Sequence, residues 1–483
     1  MKILFVAAEC APFAKVGGLA DVIGSLPKAL AKLGHEVKIV IPKYKKIDNQ
    51  MYHLQQTSES EITIPWPTSA LQKDAFILQG VLPHSPVKIY FIWNDHNFSR
   101  DEIYQVNGQD YPDNAERFAF FSQAALALCK ELNWRPDVIH CHDWQTGLLP
   151  AYLKIYQADE HICQKVKTVF TIHNLAYQGI FSSDRLAGLA MPDWSYSSQY
   201  LEFYGNINLM KSGLVFADTL TTVSDQYSRE IQTTEYGCGL EGVLIERKND
   251  VFGIINGIDY EEWNPQNDPS LPAPFSLADL SGKLKNKKAL LKENKLPLRK
   301  KDTPVIGLIS RLADQKGFDI IAEIADQLLE LDLQLVVLGT GEPKYHELFT
   351  ALQKKEPKKI AVNLKFDARL AKLIYAGSDM FLMPSKFEPC GLGQMISLAY
   401  GTIPIVRKTG GLADSILDYT PATGEGTGFV FEEYTGNALL ATIKQALVTY
   451  QKKKVWKQLM ENAIRADFSW TASAKKYVAL YQR

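Results

Sequence analysis

Short, nearly continuous apolar runs alternate along this chain with longer segments in which apolar residues recur every three or four positions. A strand buried on both faces of a parallel sheet needs the first pattern; a helix lying on such a sheet needs the second. In the first half the pattern predicts strands at residues 2–8, 36–41, 137–142, 167–172 and 218–223, with helices at 20–34, 114–133 and 145–157. Residues 60–93 break the alternation, and short strands at 76–82 and 87–92 read as an antiparallel insertion. Prolines at 265, 269, 272 and 274 mark 257–282 as a linker. A second alternating unit follows, with strands at 304–309, 333–338, 360–364, 379–383, 403–407 and 427–431. Its helices are predicted at 315–331, 343–355, 367–376, 391–400 and 435–450, and two more close the chain at 453–466 and 470–480. The expected class is α/β, two Rossmann-like domains joined by a linker.

One heptapeptide, KxGGLAD, occurs twice on this pattern, as Lys15–Asp21 and as Lys408–Asp414. Each copy follows a strand and leads into a helix. Glycine lets backbone approach a ligand closely, and the first N–H groups of a helix are unpaired, so each copy is expected to offer its backbone to a phosphate.

A length of 483 residues calls for two or three domains, and 46% hydrophobic with 22% charged residues is an ordinary globular composition. The net charge of −1 gives no general reason to bind nucleic acid or an anionic membrane. The lysine-rich stretch 283–301 reads as a helix with a solvated basic face. Six cysteines (Cys10, Cys129, Cys141, Cys163, Cys238, Cys390) show no C-x-x-C pair, which suits a reduced cytosolic protein. A strand begins almost at Met1 with no signal-like segment before it, and no apolar run reaches membrane-spanning length. A soluble, cytoplasmic protein is expected.

Ligands of open α/β sheets sit at the carboxyl ends of the strands, so the residues just after each strand are the candidates. Asp143 follows 137–142, and His173, Asn174 and Tyr177 follow 167–172. In the second half Arg311 and Lys316 follow one strand, and Glu388, Cys390, Gly391 and Leu392 follow another. Arg311 and Lys316 suit a diphosphate, and the chain contains no Asp-x-Asp pair to hold a metal for one. Each has a plainer reading: two solvated cations, a helix-start acid at Glu388, a helix cap at Asp143, a turn cap at Asn174. Cys390 lacks a nearby His-Asn partner, so a packed cysteine fits better than a nucleophile. His140-x-His142 shares a strand face but lacks a further ligand for a metal.

MKILFVAAE with KVGGLADV, HDWQTGLLPAY at 142–152, TIHNLAYQG at 171–179, NGIDYEEWNP at 256–265, SRLADQKGFD at 310–319, PSKFEPCGLGQ at 384–394 and KTGGLADS at 408–415 together resemble bacterial glycogen synthase and plant starch synthase. The resemblance runs in order from the first strand to the last helix. It implies the GT-B fold, two Rossmann-like domains facing across a deep cleft: an acceptor-side domain at 1–256, a nucleotide-sugar domain at 257–466, and a last helix near 467–483 returning to the first. It implies retaining transfer of glucose from ADP-glucose to the non-reducing end of an α-1,4-glucan, with no metal and no other cofactor, and neither nucleic acid nor membrane as partner.

By the same resemblance Lys15 and the Gly17-Gly18 loop contact the donor, Arg311 and Lys316 hold its diphosphate, and Glu388 with the Cys390-Gly391-Leu392 backbone holds glucose hydroxyls. His173, Asp143 and Asn256 line the sugar site; Asp21, Asn174 and Tyr177 fall on the acceptor side. Thr409, Gly410 and Gly411 lie near the nucleotide. Tyr375 either stacks on the base or packs in the core. Related GT-B enzymes of the sucrose branch often carry a second glutamate eight positions after the first, where this chain has Ile396. The alternatives are a related retaining transferase using UDP-glucose and a silent glucan-binding homologue.

Overall fold

A computed structural model of the chain describes residues 1–57, 62–63, 74–156, 165–298 and 303–483. They form two compact units. The first comprises Met1–Val223, Ser228–Gly257 and Trp470–Arg483; the second comprises Ser224–Tyr227 and Ile258–Ser469.

In the first unit the opening strand Lys2–Val6 pairs in parallel with Glu36–Pro42, which pairs in parallel with Lys88–Trp93. On its other side Val138–His142, Lys167–Ile172, Thr219–Thr222 and Val251–Gly253 follow, again in parallel. Numbered along the chain, these parallel strands lie in the order 3-2-1-4-5-6-7. Every residue of Val138–His142 is buried, as a strand covered on both faces requires. The segment 60–93 is only half the expected insertion. Asp74–Val81 does run antiparallel to Lys88–Trp93, but Lys88–Trp93 is itself a parallel strand of the main sheet, its Ile89–Ile92 run being buried throughout. Residues 60–61 and 64–73 lie outside the described residues, and Ile62–Thr63 between them pairs with Asp74–Val81.

The predicted helix 145–157 is interrupted. Gly147 packs against the Leu209 carbonyl so closely that a Cβ would collide with it, and it separates a 3-10 turn, Trp144–Thr146, from the helix Leu149–Tyr156; residue 157 is outside the described residues. A small antiparallel sheet, Ile180–Ser182, Asn206–Asn208 and Glu202–Phe203, was not anticipated, because strands of two or three residues show no periodicity. The closing helix Trp470–Tyr481 belongs to this unit and packs on Gly18–Lys32.

The second unit holds a six-stranded, wholly parallel sheet: Ile360–Asn363, Gln334–Leu338, Val305–Ile309, Met380–Met383, Ile403–Arg407, Phe429–Phe431. In chain order that is 3-2-1-4-5-6, the dinucleotide-binding order. Phe318 and Phe349, fully buried, stack edge-to-face beside the sheet; each contributes about 1.5–3 kcal/mol of burial. Three expectations change here. The helix predicted at 315–331 is broken into Asp314–Lys316, Phe318–Glu323 and Ala325–Glu330: Gly317 makes the first break at φ +74°, and Ile324, at φ −108° and ψ 15°, makes the second. The helix predicted from 391 starts only at Gly393, after Gly391 at φ +71°.

The basic helix, Ser281–Glu293, is the third, since it is not lysine-solvated all round. Lys283 and Lys287, one turn apart, point inward: Lys283 Nζ donates to Thr402 Oγ1 (2.6 Å) and Lys287 Nζ to Asp379 Oδ2 (2.6 Å). Burial pushes the Lys283 ammonium down to about 7. Lys285, Lys288 and Lys292 remain exposed, and Lys300 and Lys301 lie outside the described residues.

Cys10, Cys129, Cys141, Cys238 and Cys390 are free thiols; Cys163 lies outside the described residues. Among the described residues no helix is long and apolar enough to cross a membrane.

Candidate active site

In a sheet of order 3-2-1-4 the connections leave strands 1 and 4 in opposite directions, and the crevice opens at their carboxyl ends. In the second unit those ends are Ile309 and Met383. The two loops that leave them are tied together. Lys386 N–H donates to the Gln315 carbonyl (2.9 Å) and the Gln315 amide donates to the Phe387 carbonyl (3.2 Å). Gly317 is required here, since a Cβ would strike the Pro384 carbonyl oxygen. The result brings Lys316 Nζ to 2.6 Å from Glu388 Oε2, which also accepts the Ser385 hydroxyl at 2.9 Å. The pair is largely enclosed, with side chains 19% and 8% exposed. Arg311, exposed, donates to Gln315 Oε1 at 3.4 Å, so both cations and Glu388 occupy one rim.

The second heptapeptide lies behind Glu388, and its glycines serve packing. A Cβ at Gly410 would overlap the Glu388 carbonyl oxygen, and one at Gly411 the Cys390 carbonyl oxygen. Gly411 N–H donates to Glu388 O (3.0 Å) and Pro389 O (3.2 Å), while Gln394 Nε2 reaches the Cys390 and Gly391 carbonyls. Ser224 Oγ adds a bond to Pro389 O at 2.6 Å. Thr409 and Gly410 are buried and Lys408 pairs with Glu432, and through Gly411 the backbone of this copy braces the Glu388–Cys390 turn. Cys390 is buried within that turn, ahead of the half-buried Gly391 and Leu392. Tyr375 is a core residue. Its ring is 5% exposed and packs on Phe381, Tyr400 and Trp263, which leaves it no face for a base.

In the first unit the corresponding strand ends are Val6 and His142. The first heptapeptide is open. A Cβ at Gly17 or Gly18 meets nothing within contact distance, and Lys15 is exposed, pairing with Asp21 at 2.5 Å. Two of its N–H groups are already used. Glu9 Oε2 accepts from Val16 (2.6 Å) and Gly17 (3.0 Å), and Glu9 Oε1 accepts the Tyr104 hydroxyl (2.7 Å). Burial first, and then Glu9, hold the Tyr104 phenol far above its usual range, so it stays a donor. Glu9 stands just after the first strand, a position that marks it as a candidate; nothing in the sequence pointed to Tyr104.

Asp143 sits at φ +55°, ψ −179°, a region almost confined to glycine. It makes no side-chain cap for the following turn; its Oδ1 accepts the His173 N–H at 2.7 Å. The residue is half-buried but its carboxyl is enclosed: burial, with Glu9 adding repulsion, pushes it up to about 7 against the backbone N–H groups of His173 and Asn174. His173 is half-buried, and burial pushes its imidazole down to about 3. Asn174 Oδ1 caps a turn at the Ala176 N–H (3.1 Å), and Tyr177 is exposed. Asn256 is buried with its Oδ1 unpartnered. His140 is bonded at both ring nitrogens, to Tyr481 and Thr171, and among the described residues no group of three or more His, Cys, Asp or Glu is arranged to hold a metal.

The two loops therefore predict opposite outcomes for one substitution. Gly411→Ala should lower thermal stability by about 1–3 kcal/mol, the cost of an overpacked site. Gly17→Ala should leave the melting temperature unchanged and raise the KM for the donor instead. Melting curves and donor titrations of the two variants check this; equal behaviour would contradict it.

The starch synthase catalytic domain family matches residues 2–246, and the glycosyl transferases group 1 family matches residues 292–463. Glycogen synthase of Thermotoga maritima is 46% identical, the alignment covering 100% of this chain and 99% of that protein. Glycogen synthase 2 of Geobacter sulfurreducens is 45% identical over 100% of this chain and 98% of its own length. Among solved structures, the catalytic domain of starch synthase IV from Arabidopsis thaliana, bound to ADP and acarbose, superposes with a TM-score of 0.90 at 35% identity, covering 100% of this chain and 99% of that one. The sucrose-phosphate synthase of Thermosynechococcus elongatus, at 17% identity and a TM-score of 0.59 over 100% and 98% of the two chains, shares the fold alone.

Proposed function

This chain belongs to the glycogen and starch synthase family of GT-B glucosyltransferases, and on that premise we propose that it takes its glucose from ADP-glucose and adds it to the non-reducing end of an α-1,4-glucan with retention. The enzyme class and the glycogen or starch type of product follow from the family; the donor and the residue roles are the proposal. ADP is supported by its presence in the Arabidopsis relative.

The observation that carries the roles is the Lys316–Glu388 pair, with Arg311 beside it, at the switch point of a dinucleotide-type sheet. Arg311 and Lys316 offset the charge of the departing diphosphate. Glu388 and the turn that follows it bind glucose hydroxyls. The glucose C1–O bond to phosphate breaks, the acceptor 4-hydroxyl bonds to C1 on the same face, and its proton passes to the leaving phosphate. No enzyme nucleophile is needed. Protein cations take the part that a metal plays elsewhere, in keeping with a chain that lacks any Asp-x-Asp pair. In the first unit Lys15 and the Gly17-Gly18 loop serve the donor, Asp143, His173 and Asn256 serve the sugar, and Asp21, Asn174 and Tyr177 serve the acceptor. A cytoplasmic location completes the proposal, in line with scattered cysteines.

The test supplies glycogen with ADP-glucose or UDP-glucose and measures nucleotide release. Turnover with ADP-glucose at least tenfold above UDP-glucose is expected. UDP release alone would replace the donor assignment, and no release with either would leave a glucan-binding homologue.

A further inference from the structure

His142 stands behind His173, one residue deeper than the groups assigned to the sugar. It ends the buried strand Val138–His142, and its Nδ1 lies 3.0 Å from His173 Nε2. The ring is clamped, stacked on Phe5 at 5.5 Å and packed at a tilt on His140 at 4.1 Å. His140 is itself fixed by the Tyr481 hydroxyl at Nδ1 (2.7 Å) and the Thr171 hydroxyl at Nε2 (2.6 Å), and Thr171 bonds on to Thr221. The far nitrogen of the clamped ring, His142 Nε2, is buried and has no hydrogen-bond partner.

Burial holds both His140 and His142 well below the usual imidazole range, so His142 carries one proton. Two arrangements satisfy the 3.0 Å contact. Either His142 donates from Nδ1 and leaves a bare lone pair at Nε2, or His173 donates from Nε2 and leaves His142 with an orphaned N–H. An orphaned buried donor is the rarer and costlier outcome. We infer that His142 is a positioning residue, which donates its Nδ1 proton to His173 Nε2 and so fixes His173 as the tautomer protonated on Nδ1.

The inference rests on the reading of His173 as a sugar-site residue and deepens it. With Nε2 spent as an acceptor, the nitrogen left to the substrate is an N–H donor with no lone pair. His173 then orients a substrate hydroxyl by donating to it and cannot act as a general base. That is the division of labour required when the leaving phosphate takes the acceptor proton.

Long-range ¹H–¹⁵N correlation spectra of the full chain with ¹⁵N-labelled histidine, His173 assigned from a His173→Gln sample, test the tautomer. The expected result is a protonated-type Nδ1 and a bare-type Nε2 at His173; the reverse pattern, or an averaged one, overturns the inference. In kinetics, His142→Leu should lower kcat by about 10- to 100-fold with little change in donor KM, a loss of the size seen when the outer partner of a metal-bound histidine is removed. His142→Asn, which restores an N–H, should recover part of it. Circular dichroism identifies a variant that fails to fold, and unchanged kcat in a folded His142→Leu overturns the positioning role. Full turnover by His173→Ala would instead overturn the sugar-site reading, while the spectra would still decide the tautomer.

Discussion

Lys316→Ala is expected to lower kcat/KM by about 10²–10³, or ~3–4 kcal/mol of transition-state stabilisation, the usual loss when one pre-placed charge partner is removed. The residue does two things, and they separate experimentally. Toward substrate, in the proposed reaction, its ammonium offsets the charge that builds on the departing diphosphate. Toward the protein it neutralises Glu388, whose side chain is only 8% exposed. Deleting one member of an enclosed ion pair leaves the other unpaired, at a cost of about 3–5 kcal/mol when burial is complete and less here, where Lys316 is 19% exposed. Lys316→Ala should therefore both melt earlier and turn over slowly. Glu388→Gln keeps an acceptor for the Ser385 hydroxyl and should hold the fold, yet lose turnover by a similar factor. The double variant Lys316→Gln with Glu388→Gln places two neutral amides in contact. It should recover most of the lost stability and none of the activity, a non-additivity in melting alone. Melting curves and initial rates of the wild type, Lys316→Gln, Glu388→Gln and their double variant close the cycle and decide it, with Lys316→Ala as the full deletion of the side chain. If the double variant regained turnover, the pair would be a structural bridge and nothing more.

The pattern that made this pair findable was legible early, and its arrangement was not. Continuous apolar runs located the parallel strands to within one or two residues, except Val251–Gly253, whose three residues are too short to leave a pattern. Strand order leaves none, yet order is what pairs Val305–Ile309 with Met380–Met383 and so brings Lys316 to Glu388. The repeated KxGGLAD heptapeptide marked two strand-to-helix turns. It did not reveal that Gly411 makes room for a carbonyl while Gly17 faces open space, since both demands select glycine. Lys283 and Lys287 looked solvated because charge usually is; the carbonyls, the hydroxyl and the Asp379 carboxylate that accept their protons come from distant residues. Asp143 read equally well as a cap. Only its positive φ and its bond to the His173 N–H reveal a residue held under strain, which no local pattern encodes.

Asp143→Asn is accordingly expected to stabilise the protein and disable it. The wild-type carboxyl has an ordinary value of 3.8 and rises to about 7 in the fold, chiefly through burial. The folded state therefore binds a proton that the unfolded state has released between those two values. Its contribution to stability is complete below about pH 4 and is lost as pH rises through 7, so at pH 8 the fold carries an enclosed charge at its own expense. An amide at this position keeps an acceptor for the His173 N–H and removes that charge. A gain of about 1–3 kcal/mol is expected at pH 8, shrinking toward zero by pH 4, since each tenfold change in proton affinity corresponds to about 1.4 kcal/mol. Turnover should move the other way, by at least about 100-fold, because in the proposed reaction the ionised carboxylate opposes the positive charge that develops on the transferred sugar. The wild-type rate should then climb as pH rises through about 7, and the Asn variant should lack that limb. Thermal melting and kcat, each measured from pH 4 to pH 9, test both halves. A variant that gains no stability at pH 8 would show that the carboxyl is not ionised at a cost. A variant that retains the wild-type rate would show that its charge is not used. Loss of activity together with gained stability identifies a group kept for chemistry against the interest of the fold.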